Sequence, residues 1–465
     1  MLTIYDGKQG MSRRDFLTVG ALGLGGLTLS SLLAAKAKAD SSLNPLSGKS
    51  VIFLFQQGGP TQFETFDPKP DAPDNIRTVT GVTSTKLPGV QFGDTMENLA
   101  RLADKFTVVR NFQTNNAGHN IHGIVSPETL NANIGSLYSR VAGAIRSDNA
   151  MPTNCSLFNQ AVCDDVTKGS ARGDTSATGA LGSMYAPFVP GGNGDLQKNM
   201  QLRMARDRFD DRRELLASLD SLNRSVDARG QIEALDEVQK QAYEVLLSRG
   251  VADALDLSKE DPAILKKYDT GRFARRDGWS KAARGKRGYY SGHAKSLGKL
   301  LLLSRRLCEA GAGFVTIHAA YEGVWDFHAD GNNLNCKDGM EAVGRSFDHA
   351  VATFIEDLEA RGLSDKIMLV CTGEMGRTPK INKNGGRDHW ARLAPLFLYG
   401  GGVQKGKVIG QSTKDGGEPA SDNQNTKNLV STILHTVFDV GVLRVMPEYA
   451  QVAKLAEEQT IPGVF

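Results

Sequence analysis

Asp326 and His328 stand two residues apart, Glu374 follows an apolar run, and Asp388 and His389 are neighbours. Carboxylate oxygens and imidazole nitrogens are donors to divalent cations, so Asp326, His328, Glu374 and His389 are the candidate metal ligands. The set admits zinc, manganese, calcium or magnesium without choosing among them. Alternate residues of an extended segment face opposite ways, so Asp326 and His328 meet one ion only where the loop bends. The Asp388-His389 pair has two uses: His389 binds the metal while Asp388 orients its ring, or Asp388 is the ligand and His389 a proton donor or oxyanion stabiliser. Arg377 and Arg387 flank the region, and a guanidinium fork suits a phosphate or sulfate group or a bridging carboxylate. His119 and His122, three apart, would share one side of a helical turn.

These residues converge only if strands deliver them to one edge. The alternation of apolar runs and amphipathic stretches is that of a βαβ chain with a mostly parallel sheet. Val51 to Phe55 is a first strand, ending in Gln56-Gln57-Gly58-Gly59-Pro60. Thr95 caps a helix through Lys105, and Phe106 to Val109 is a second strand that opens into the loop bearing Thr114 and His119. Phe314 to His318 leads to Asp326. A helix with Val343, Phe347, Val351, Phe354 and Leu358 on one face ends at Gly362 and hands over to Ile367 to Thr372, which feeds Glu374. Leu396 to Tyr399, the triple glycine at Gly400 to Gly402, and a last helix from Thr426 to about Val440 complete the pattern. In open α/β sheets the carboxyl ends of the strands hold ligands.

The first 39 residues carry no fold. Ser12-Arg13-Arg14-Asp15-Phe16-Leu17, an uncharged glycine-diluted segment to Ala35, and Ala37-Lys38-Ala39 read as a twin-arginine export signal with its cleavage site. The expected partner is the twin-arginine export machinery, the destination is periplasmic or extracellular, and no stable membrane span remains after cleavage. The segment holds Lys8, Arg13, Arg14, Lys36 and Lys38 against Asp6 and Asp15, which accounts for the whole net charge of +3. The remainder is formally neutral and gives no support to nucleic-acid binding. Residues 40–465 read as one α/β domain with a helical insert at about 196–306, where Leu215, Leu216, Leu219 and Leu222, then Tyr243, Leu246 and Leu247, fall at helical spacing. Between Arg272 and Arg306 the charge is basic, which suits a phosphate-rich ligand or a solvated helix face. Five cysteines in 465 residues are no disulfide scaffold; Cys155 and Cys163 are the pair free to bridge, Cys308 and Cys371 sit in apolar runs, and Cys336 lies in a polar loop. No nucleophile elbow, Walker loop or dinucleotide fingerprint occurs.

The export signal, the Gln57-Gly58-Gly59-Pro60 loop followed by Thr65-Phe66-Asp67-Pro68-Lys69-Pro70, Trp325-Asp326-x-His328, Gly373-Glu374-x-Gly376-Arg377-Thr378-Pro379 and Gly386-Arg387-Asp388-His389-Trp390 resemble the exported family known as domain of unknown function 1501. That resemblance covers nearly all of residues 40–465. It implies a branch of the alkaline phosphatase and sulfatase superfamily: a three-layer sandwich with a mostly parallel central sheet flanked by helices and a metal-centred site at the strand ends. It further implies Asp326 and His328 as a metal pair, Glu374 as a strand-end carboxylate, and His389 as the late histidine ligand before Pro395 to Leu398. Two departures stand out. The superfamily expects an Asp at the end of the first strand, where this chain has Gln56-Gln57, with Glu64 and Asp67 further round the loop. Where a nucleophile would follow the second strand, Thr114 is the one hydroxyl among Thr114, Asn115, Asn116 and His119. The catalytic candidates are Thr114, His119 and Asp388. The function expected is a metal-dependent hydrolase of phosphate or sulfate esters on a small-molecule or polysaccharide substrate, or else a non-catalytic cell-envelope binding or assembly protein on the same fold.

Overall fold

The computed structural model describes residues 5–6, 9–10, 44–191, 248–274, 286–319 and 322–465. It comprises two compact units, Met1–Pro45 and Leu46–Phe465. In the first, Tyr5–Asp6 pairs antiparallel with Gln9–Gly10; the twin-arginine motif and its apolar segment lie outside the described residues. So do residues 196–247 and 275–285 of the expected helical insert, with its leucines and Tyr243.

The second unit is built on seven strands: β1 (Ser50–Phe55), β2 (Thr107–Val109), β3 (Asn154–Phe158), β4 (Phe314–His318), β5 (Ile367–Thr372), β8 (Leu396–Gly400) and β9 (Lys407–Ile409), in the order β9-β2-β8-β5-β1-β4-β3. Between β5 and β8 the chain makes a separate antiparallel hairpin of β6 (Gly376–Ile381) and β7 (Arg387–Trp390). Six strands of the sheet run parallel and β8 runs against both its neighbours. Apolar runs such as Val51 to Phe55 and Ile367 to Cys371 form strands because both faces of the sheet are covered, so every side chain is buried.

Alternation assigns the two faces. Ile52, Leu54, Val315, Ile317 and Leu369 pack with α2 (Arg287–Glu309) and α3 (Arg345–Arg361) through Leu297, Leu301, Phe347, Val351 and Phe354. Val51, Phe53, Phe55, Met368 and Val370 pack with α1 (Ile134–Ala142) and α4 (Thr426–Val437) through Ile134, Leu137, Leu429, Ile433 and Leu434. The result is a helix–sheet–helix sandwich. The Asn425 side chain accepts from Lys427 N and starts α4, while α3 stops at Gly362.

Four details depart from the sequence reading. Because β8 is antiparallel, with Gly400 beside Met368 at the start of β5, the triple glycine lies at the edge opposite the strand ends that carry Glu374 and His318. The helix expected from Thr95 to Lys105 is a series of short turns around Glu97–Arg101, and the buried Asp348 carboxylate, rather than Thr95, takes the first-turn amides of Asn98 and Leu99 at 3.0 and 2.8 Å. Of the stretch read as helical insert, Arg287 to Arg306 belongs to α2, a helix packed in the core. Its Arg305 is buried in ion pairs with Glu260, Glu309 and Asp357, and Arg306 joins Glu260, so these basic residues face acids. Finally, all five cysteines are free thiols, and Cys336 is buried at the start of a short helix.

Candidate metal centre

Four loops meet at the carboxyl edge of β1, β4 and β5. β1 ends in Gln57-Gly58, and the Gly58 amide donates to both oxygens of Glu374 at 2.9 and 3.2 Å. Gly58 sits at φ +114°, where a Cβ would come within 2.7 Å of Trp325 N and 2.8 Å of Asp326 N, so the approach of these loops requires glycine. β5 ends at Thr372 and delivers Glu374, fully buried, two residues later. The loop after β4 carries Asp326. The β6–β7 hairpin sets Arg377 opposite His389, and both side chains turn to Asp326.

Asp326 is the hub. Its Oδ2 lies 3.0 Å from His119 Nε2, 3.0 Å from His328 Nε2 and 3.1 Å from Asn333 Nδ2, and its Oδ1 lies 2.7 Å from Arg377 Nη2 and 3.5 Å from His389 Nε2. One ligand atom each from His119, Asp326 and His389 falls within 4.8 Å of the others. His389 Nε2 is buried and makes no hydrogen bond among the described residues, while its Nδ1 is 3.0 Å from the Ala117 carbonyl. On the far side of His119, Nδ1 is 3.2 Å from Glu374 Oε1. Each imidazole thus has one nitrogen at the cluster and the other on a carboxylate or carbonyl, the arrangement that fixes the tautomer of a metal-bound histidine. Two imidazoles and one carboxylate are a donor set known from zinc sites.

The electrostatics follow from this packing. Burial alone would raise the Asp326 carboxyl, but the imidazoles of His119, His328 and His389 and the Arg377 guanidinium outweigh it and hold it well below the usual carboxylate range. Burial opposes a charge on His119, yet hydrogen bonds to Asp326 and Glu374 push its pKa up to about 9. Burial keeps the Glu374 carboxyl above its ordinary value, partly offset by His119 and the Gly58 amide.

The structure regroups the residues expected from sequence. Asp326 and His389 stand in the three-ligand cluster, and the third place goes to His119 rather than to Glu374 or His328. Glu374 backs His119; His328 rests against Asp326 Oδ2. Asp388 does not orient His389: alternation along β7 points it outward, exposed, where its Oδ1 meets Asn382 Nδ2 at 3.2 Å. Thr114 is buried, and its hydroxyl meets the Asn116 backbone. His122 parts from His119 and lies 3.7 Å from Glu128. Asn333, which no spacing pattern marks, is drawn in by the turn at Asp330; Lys286 holds its Oδ1 at 2.9 Å, which aims the amide nitrogen at Asp326.

The two arginines expected to hold an anion are fully buried. Arg377 donates to the carbonyls of Gly58, Gly59 and Arg387 as well as to Asp326. Arg387 pairs with the buried Glu64 at 3.0 Å, donates to the carbonyls of Ile76, Arg77, Thr378 and Pro379, and covers the Phe63 ring at 4.0 Å. These contacts brace the hairpin, and a lysine cannot reproduce the fork. Arg387→Lys is therefore expected to cost about 2 kcal/mol by leaving buried acceptors unpaired, read as a lower urea midpoint with unchanged metal content. Glu64 and Asp67, the nearest acids to the first strand, are likewise held away from the cluster, Asp67 by Lys69 at 3.2 Å and by Ser412.

Among solved structures, the chain is similar to the PsFucS1 sulfatase of Pseudoalteromonas sp. (11% identity, 93% of this chain and 76% of that one, TM-score 0.34). It is also similar to the phosphonate monoester hydrolase SpPMH of Silicibacter pomeroyi (10% identity, 83% and 72%, TM-score 0.31). A third is a TAB5 alkaline phosphatase mutant with Mg bound (15% identity, 90% and 100%, TM-score 0.28). A search of curated proteins finds no match. No described helix is long and apolar enough to cross a membrane. The chain belongs to the family described as Protein of unknown function (DUF1501), whose model matches residues 48–441.

Proposed function

We propose that this protein is an exported, metal-dependent hydrolase of phosphate or sulfate esters, centred on His119, Asp326 and His389. The observation that carries the reading is the convergence of these ligand atoms within 4.8 Å, each with its own supporting contact, at the carboxyl edge of a mostly parallel sheet. A divalent ion held there would polarise the ester oxygen and lower the pKa of a bound water. The chain's own residues do the rest. Glu374 and the Ala117 carbonyl keep the two rings in register, Arg377 fixes the carboxylate, and Asn333 steadies its second oxygen. His328, partly exposed and 3.0 Å from Asp326 Oδ2, is placed to pass a proton to a leaving group. With Thr114 engaged by its own loop, water rather than a side-chain hydroxyl is the attacking group.

A second reading, a non-catalytic envelope binding or assembly protein, draws on Gln57. At the position where an acid would complete a larger metal site, its amide bridges Asn120 O and Arg172 N at 2.7 and 3.2 Å. Metal analysis of the purified protein, followed by aryl phosphate, phosphodiester and aryl sulfate assays, separates the two. The hydrolase reading expects about one metal per chain and turnover that a chelator abolishes and metal restores. Stoichiometric metal with no turnover on any ester supports the binding reading, and absence of both, unchanged by His389→Ala, removes the metal centre from consideration.

A further inference from the structure

With Arg377 and Arg387 buried in backbone contacts, an anionic substrate must meet a different cation. The loop from Gly169 to Thr178 is fastened to both loops that supply ligands. On the His119 side, Gln57 links Arg172 N to Asn120 O, and Gly173, at φ +144°, lies so close to Ile121 that a Cβ would come within 2.6 Å of its Cγ1. On the Asp326 side, the Ser170 hydroxyl donates to the carboxylate of Glu322, four residues before the hub. The ends are anchored as well, by Gly169 N on Gln160 Oε1 at 3.1 Å and by the Asn133 amide groups on Thr175 O and Ala177 O at 2.9 and 2.7 Å.

Between these anchors Arg172 is exposed, and its guanidinium makes no hydrogen bond or ion pair among the described residues. Its charge is felt by Glu322: burial acts to raise that carboxyl, but Ser170 and, at longer range, Arg172 and Lys286 bring it below its ordinary value. An exposed guanidinium on a loop fastened to both ligand-bearing loops is suited to a planar, two-donor grip on an oxyanion.

We infer that Arg172 forms an oxyanion subsite next to the metal cluster and reads a tetrahedral phosphate or sulfate group of the substrate. This rests on the ester-hydrolase reading for its meaning, but anion binding can be measured without turnover. Titration calorimetry of inorganic phosphate and of sulfate into the metal-loaded protein is expected to show binding that weakens with added salt. Arg172→Ala should weaken it by about 10-fold to 100-fold, with partial recovery in Arg172→Lys. On an anionic aryl ester the alanine variant should raise KM and leave kcat nearly unchanged. Phosphate affinity that Arg172→Ala removes, in a protein whose wild type turns over no ester, would uphold the subsite and overturn the hydrolase reading. Turnover with phosphate affinity and KM unaltered by Arg172→Ala would overturn the subsite alone.

Discussion

Asp326→Ala is expected to abolish metal binding and to destabilise the protein by about 3–5 kcal/mol. The two effects have one cause. Asp326 is the sole carboxylate of the three-ligand cluster, and its Oδ1 also neutralises Arg377, whose side chain is 0% exposed. Alanine leaves that guanidinium buried with backbone carbonyls but no counter-charge, and brings His119, His328 and His389 together without the anion that gathers them. Asp326→Asn separates the effects, because an amide fills the same volume and keeps an acceptor for Arg377 while binding a divalent ion weakly. Metal content by elemental analysis should fall to background in both variants. The midpoint of urea unfolding should fall further in the alanine variant. Retention of stoichiometric metal by Asp326→Ala would remove this residue from the centre, whatever happened to stability.

How much of this was legible beforehand depends on whether a residue's role is carried by its own type or by backbone that only the fold brings near. The strands at Val51 to Phe55, Phe314 to His318 and Ile367 to Thr372 were readable because a sheet covered on both faces asks for continuous apolar runs. The direction of β8 was not, since a short apolar strand reads the same either way and the β6–β7 excursion decides it. Asp326 and His389, which the fold gathers with His119, were readable as candidate donors by type alone. His119 was paired with His122 on helical spacing, but residues 119–122 form no helix, and His119 meets Asp326 while His122 meets Glu128. Arg377 and Arg387 misled for a related reason. Their partners are mostly carbonyl oxygens of Gly58, Gly59, Ile76 and Arg77, groups that every sequence contains and no motif reveals. Arg172, unremarkable in the sequence, gains its position from Gln57 and Gly173.

The pH dependence of stability should change sign when metal binds, and His119 is the reason. In the metal-free protein its pKa is pushed up to about 9 by Asp326 and Glu374, against 6.5 for the ordinary side chain, and the side chain is only 13% exposed. A histidine whose folded pKa is raised contributes its full stabilisation below pH 6.5 and loses it as the pH rises through 9. The shift is worth about 3 kcal/mol across that window. Asp326 adds no slope there, because its depressed pKa keeps it ionised in the folded state and costs stability only in acid, below the usual carboxylate range. Glu374, raised by burial, has the same sign as His119 but acts in more acid solution, its contribution to stability falling as the pH rises above the ordinary carboxylate value of 4.5. Metal-free protein should therefore melt progressively lower from pH 6.5 to 9. Metal reverses this, for it competes with the proton on His119 Nε2 and binds more tightly as that proton leaves. At a metal concentration of about 1,000 times Kd the added stability is about 4 kcal/mol, greatest at the alkaline end where the metal-free protein is weakest. Thermal unfolding at half-unit steps of pH, once with chelator and once with zinc, should give two curves that diverge with rising pH, and His119→Gln should flatten the first and abolish the divergence. Parallel curves would mean that the proton on His119 and the metal do not share a site.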